Sequence, residues 1–90
     1  MALRLRDGVS VAEIEYGIAL LDEDRGEYFN LNPTGALVLQ TLLGGGTPAQ
    51  AAQELARQYA VDGDIAGQDV EALMGELRSA GLVTQQPSGA

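Results

Sequence analysis

Around Asn32-Pro33 the hydrophobic repeat of this chain changes from two residues to the longer period of a helix, so the chain must fold as strands first and helices afterwards. Upstream, apolar residues alternate through Val9 and Val11, then Ile14, Tyr16, Ile18 and Leu20, then Phe29 and Leu31. Tyr16-Gly17 and the cluster Asp22-Glu23-Asp24-Arg25-Gly26 break that alternation with turn-forming residues. The reading is about three short strands joined as hairpins into an antiparallel meander. Leu3 and Leu5 alternate with Arg4 and Arg6 as well, but Asp7-Gly8 interrupts before Val9, and whether that segment joins the first strand stays open.

Downstream, Asn32 has the chemistry of an N-cap and Pro33 that of a first helical residue. The spacing predicts a helix to about Leu43, burying Gly35, Val38, Leu39 and Leu42, and ended by Gly44-Gly45-Gly46. Thr47-Pro48 with Gln50 is a capping-box pattern for a second helix, whose stripe is Ala51, Ala52, Leu55, Ala56 and Tyr59 and which ends near Ala60. Val61 to Asp64 reads as a loop. A last helix then carries Ala66, Val70, Leu73, Met74 and Leu77 until Gly81, and Leu82 and Val83 close the core. The expectation is one α+β domain over residues 1–83, winged helix-turn-helix-like, with a three-stranded antiparallel sheet followed by three helices. Residues 84–90, small and polar, are expected to be a disordered tail.

With 90 residues the chain supports a single core. It contains neither Cys nor His, which removes thiolate nucleophiles, imidazole bases and the usual zinc ligand sets. No catalysis, no metal and no cofactor are expected. Asp22, Asp24 and Gly26 lack the rest of a calcium loop, and Asp22-Glu23-Asp24 is most simply a solvated turn. The N-terminus carries no signal-type apolar stretch and no apolar run approaches the roughly 20 residues that span a bilayer, so the expectation is a cytoplasmic protein without a membrane partner.

Such a shape invites a DNA-binding reading, and charge opposes it. The formal charge is -8, from thirteen acidic residues against five Arg. The last two helices and their loop set Glu54, Asp62, Asp64, Asp69, Glu71 and Glu76 against Arg57 and Arg78 alone, which repels phosphate. A winged-helix regulator is therefore the competing class, and an acidic carrier domain is disfavoured because no helix starts with an Asp-Ser-Leu attachment site.

The segments Gly17-Ile18-Ala19-Leu20-Leu21-Asp22, Gly26-Glu27-Tyr28-Phe29-Asn30-Leu31-Asn32 and Thr34-Gly35-Ala36 resemble, in that order, the PqqD-like proteins known as RiPP recognition elements. Leu42-Leu43-Gly44-Gly45, Tyr59, Asp69 to Leu73, Leu77 and Ala80-Gly81-Leu82-Val83 extend the resemblance over roughly residues 9–83. Within that family, free-standing acidic chains with Tyr-Phe-Asn-Leu-Asn look most like the leader-binding proteins of lasso-peptide biosynthesis, with the pyrroloquinoline quinone chaperone, which serves a radical enzyme, as the nearest alternative. The resemblance implies that a precursor leader peptide adds as a strand beside the third strand, that the third helix forms the other wall, and that the peptide passes to a separate leader peptidase.

Physical chemistry supports the same mode, because the last strand of a meander offers backbone groups that an extended peptide can satisfy. The candidate peptide-binding residues are Glu27, Tyr28, Phe29, Asn30 and Leu31 on the strand and Val70, Leu73, Met74 and Leu77 on the helix. Alternation sends one of Tyr28 and Phe29 inward and the other out, and an exposed aromatic at a sheet edge is an anchor. Leu73, Met74 and Leu77 also have the spacing of plain core; Met74, with its adaptable thioether, is the best groove candidate of the three. Arg78 complements the helix macrodipole and is available to an acidic peptide residue. On this reading Tyr28→Ala and Met74→Ala weaken peptide binding without unfolding the domain.

Overall fold

The structure, a computed structural model, describes residues 2–86. Four strands come first: β1 (Ala2–Leu5), β2 (Val9–Ile14), β3 (Gly17–Asp22) and β4 (Glu27–Leu31). Three helices follow, α1 (Pro33–Leu43), α2 (Pro48–Tyr59) and α3 (Gly63–Ser79), and a fifth strand, β5 (Val83–Gln86), comes after α3 among the described residues. The α+β class and the meander followed by three helices are as the change of period dictates.

The meander is antiparallel in the order β2-β3-β4, with β3 in the centre. Register pairs Leu20 with Val11 and with Phe29, and Ile18 with Glu13 and with Leu31. Ile18, Leu20 and Leu31 thus share the face that the helices cover, and all three are buried. Gly17 starts β3 at φ 129, and a Cβ there would fall 1.9 Å from the carbonyl oxygen of Leu31. Only glycine allows the strand to begin so close to the end of β4.

Caps set the helix boundaries. Asn32 Oδ1 accepts from the N–H of Gly35 at 2.9 Å, and Thr47 and Gln50 exchange side-chain to backbone hydrogen bonds at 3.1 and 2.8 Å. Asp62 caps α3 by accepting from the N–H of Asp64 at 2.9 Å. Gly63 and Asp64 are therefore helical rather than part of a loop. On α1 the buried residues are Ala36, Val38, Leu39 and Leu42, while Gly35 is half-buried. Ala51 and Leu55 of α2, and Ala66, Val70, Met74 and Leu77 of α3, complete the core, and Tyr59 stays exposed.

At the chain ends the structure settles one open question and corrects one expectation. The Leu3-Leu5 segment does not extend the meander; it is β1, which forms a two-stranded antiparallel ribbon with β5. Thr84 to Gln86, assigned by composition to a tail, are the second strand of that ribbon. Backbone pairing imposes little side-chain requirement, and the buried Leu3 and Val83 carry the packing. Residues 87–90, the rest of the expected tail, lie outside the described residues.

The turn after β3 is not simply solvated, because Asp22 is a buried charge at 2% exposure. Arg6 NH2 lies 2.7 Å from Asp22 Oδ2 and Arg25 Nε 3.7 Å, and Asp22 Oδ1 accepts from the backbone N–H groups of Asp24 and Arg25 at 3.2 Å. The Arg6 contact is one of charge, without hydrogen-bond alignment at NH2. Arg6 Nε also donates to the carbonyl of Gly81 at 2.7 Å, and Arg25 NH1 to that of Ala80 at 3.3 Å. One carboxylate thus holds two arginines whose other bonds close the C-terminal end of α3.

Burial opposes the charge on Asp22 and is the largest single influence, but the close Arg6 guanidinium, the backbone N–H of Arg25 and the charge of both arginines together outweigh it, so the carboxyl ionises below its ordinary range. A folded-state value below the unfolded one gives stability that is complete above about pH 4 and is lost as pH falls through the lowered value. Urea unfolding of the protein and of Asp22→Asn from pH 6 down to 2 should show the protein's advantage constant above about pH 4 and shrinking below it. An advantage that does not change with pH would sink the assignment.

Candidate functional site

Beyond β4 there is no further strand among the described residues, so this edge of the meander leaves backbone donors and acceptors without sheet partners. Opposite the edge stands α3, and between them lies a groove of ≈ 520 Å³. Phe29, Asn30 and Leu31 form one wall, and Asp69, Ala72, Leu73 and Glu76 form the other. Val38 and Leu55 contribute from α1 and α2, and Asn32, Thr34 and Gly35 close the end where the chain turns into α1.

The helical wall has a simple origin. At roughly 100° per residue, Ala66, Val70, Met74 and Leu77 make one stripe, and Asp69, Ala72, Leu73 and Glu76 make another about a quarter-turn away. The first stripe is buried in the core; in the second only Leu73 is half-buried, the other three being exposed. Leu73 sits between the stripes, touching the core with one side and lining the groove with the other.

Of the strand residues singled out from sequence, Phe29, Asn30 and Leu31 line the groove. Glu27 opens β4 exposed on its register partner Asp22. Tyr28 is 71% exposed but lies opposite Leu21, on the parity that faces away from Leu20 and the helices. It flanks the edge without entering the groove. On α3, Leu73 lines the groove, whereas Val70, Met74 and Leu77 are core residues and do not. The preference for Met74 is corrected accordingly: helix rotation, not side-chain softness, decides which residues face the groove. Arg78 is exposed at the last turn of α3 and is not part of the groove lining.

Sequence reasoning missed Asp69, Ala72 and Glu76. Their signal was present as a spacing of three, four and seven residues parallel to the core stripe. Asn32, Thr34 and Gly35 were legible as a helix start but not as the end of a groove. Among the described residues no group of three or more metal-ligating side chains comes together, and no helix is long and apolar enough to cross a membrane. The site is thus a trough of mixed lining, apolar at Phe29, Leu31 and Leu73 and polar at its rims, with an open strand edge on one side and two carboxylates on the other, suited to holding an extended chain.

A family model described as coenzyme PQQ synthesis protein D (PqqD) matches residues 17–83. The fold is similar to lasso peptide synthetase B1 solved in complex with the leader peptide, at 42% identity and TM-score 0.88, over 94% of this chain and 100% of that one. TbiB1 in complex with the TbiA(beta) leader peptide has the same fold at 24% identity and TM-score 0.81, over 94% of this chain and 99% of that one. The PqqD truncation of Methylobacterium extorquens PqqCD, solved by NMR as a functional stand-alone RiPP recognition element, matches at 25% identity and TM-score 0.73, over 92% and 88% of the two chains. No curated protein matches significantly.

Proposed function

The chain belongs to the PqqD family, and from that premise we propose that it binds the leader segment of a ribosomally made precursor peptide, of the lasso class, and hands it to a separate leader peptidase. The observation that carries the reading is the open β4 edge facing α3 across a groove with Leu73 at its helical wall. A leader laid along β4 in extended form satisfies the edge and is satisfied by it, while alternate side chains drop into the groove. Phe29, Leu31 and Leu73 supply apolar contact, and Asn30 and Asn32 supply polar contact beside it. The lasso class is favoured over the pyrroloquinoline quinone chaperone by 42% against 25% identity to the respective structures.

The domain acts by holding and presenting, with the chemistry done by the enzyme that receives the leader. A cytoplasmic setting suits such a handover. Nucleic acid is a poor ligand for a chain of formal charge -8, which repels phosphate at long range.

Fluorescence polarisation tests the reading with a labelled leader from the precursor encoded beside this chain, a scrambled leader and a DNA duplex. Saturable binding of the native leader at micromolar concentration or below, with neither control binding, is the expected result. Equal binding of native and scrambled leaders together with salt-sensitive DNA binding would replace the proposal with a winged-helix regulator.

A further inference from the structure

The two walls of the groove, β4 and α3, share one apolar core, but among the described residues no hydrogen bond or ion pair runs directly from one to the other. At Leu31 the chain turns at once into α1 under the Asn32 cap, which fixes that end of β4. At the other end Glu27 pairs with Asp22, and there the polar tie to α3 passes through Arg6. Arg6 lies between β1 and β2. Its guanidinium is 2.7 Å from Asp22 Oδ2, its Nε donates to the carbonyl of Gly81 at 2.7 Å, and its backbone N–H donates to the carbonyl of Leu82 at 2.9 Å. Arg25, in the turn between β3 and β4, adds a longer donation to the carbonyl of Ala80 at 3.3 Å. One side chain thus grips both the carboxylate beside the start of β4 and the first residues beyond α3.

We propose, on the leader-binding reading above, that Arg6 is a positioning residue for peptide binding: by bridging Asp22 and Gly81 it holds α3 at a fixed angle to the meander before the peptide arrives. Arg6 does not line the groove, so it acts through the wall that it holds. A groove already set to receive its peptide loses less freedom on binding than one whose wall swings. Where only a fraction of the molecules has the competent geometry, the apparent Kd rises in inverse proportion, so a fall to about one tenth weakens binding about tenfold. The task requires arginine. A planar guanidinium presents several donors at once, to the carboxylate and to the carbonyl, whereas lysine offers one ammonium on a flexible stem. Lysine at this position would keep a positive charge beside the buried Asp22 and release Gly81. Were the cluster a matter of stability alone, Arg6→Lys, once folded, would bind as the parent does.

Residual dipolar couplings of the isotope-labelled protein, free and with the leader of the polarisation test, read the angle of α3 against the meander. Arg6→Lys and Arg25→Ala are compared with Thr47→Ala, which loses the α2 cap away from the groove and is the destabilised control. Each is measured at a temperature where circular dichroism shows it folded. In free Arg6→Lys the α3 couplings should shrink relative to those of the meander and recover when leader is added, with Kd raised about tenfold. Arg25→Ala, which loses the longer and more exposed bond, should show the same change to a smaller extent. Thr47→Ala should keep the parent's couplings and Kd. Parent-like couplings or a parent-like Kd in Arg6→Lys overturn the positioning role while leader binding by the parent stands. So does a Kd raised equally in Thr47→Ala, which would make the loss one of general stability. A parent protein that binds no leader overturns the leader-binding reading and this role with it.

Discussion

Leu39→Ala and Met74→Ala should each lower the unfolding free energy by about 2–5 kcal/mol, measured by urea titration. Leu39 has no exposed surface and Met74 almost none, and each packs within the single cluster that joins the sheet to the helices. A small domain of this kind has roughly 5–15 kcal/mol in total, so either truncation removes a large part of its stability. Tyr28→Ala, at a position 71% exposed, should stay within about 0.5 kcal/mol of the parent protein. The decisive comparison is between Met74 and Tyr28. If Met74→Ala melts like the parent but loses peptide, its place is in the groove rather than the core.

A leader methylated at one backbone nitrogen at a time should lose affinity at every second position across the stretch paired with β4. In a strand added to an edge, alternate N–H groups point toward the neighbouring strand and the others away from it. A methyl on an inward nitrogen removes a donor and leaves an acceptor of β4 without a partner. Each such loss costs about 1–3 kcal/mol. That corresponds to roughly 5- to 150-fold in Kd. β4 has five residues, so the alternation should extend over about that length of peptide. A profile that rises and falls smoothly, without a period of two, would mean that the groove binds the leader through side chains alone.

What could be read from sequence divides along a physical line. The meander and the helices were legible because each is written in local periodicity and capping chemistry, as at Asn32 and at Thr47 with Gln50. The β1–β5 ribbon was not, since it joins segments at opposite ends of the chain through backbone bonds that leave little trace in side chains. Asp22 looked like any turn carboxylate, and its burial depends on Arg6 arriving from a distant segment. For the site, Phe29, Asn30, Leu31 and Leu73 were identified with the groove residues that the structure brings together. Val70, Met74 and Leu77 were grouped with them because amphipathic spacing locates an apolar stripe but not the neighbour that it faces.

The ribbon also determines where this domain can be cut and joined. Its register sets Ala2 opposite Gln86, and cross-strand partners in an antiparallel pair have Cα atoms about 4.5–5.5 Å apart. A chain entering at β1 leaves at β5 through almost the same point in space, so the whole domain can be spliced into a surface loop of another protein like a bead on a single stitch. The same closeness suits circular permutation, with a short linker across the ribbon and new ends opened in the Gly44-Gly45-Gly46 segment between α1 and α2. Such a permutant would keep β4 and α3, and the trough between them, on one uninterrupted scaffold.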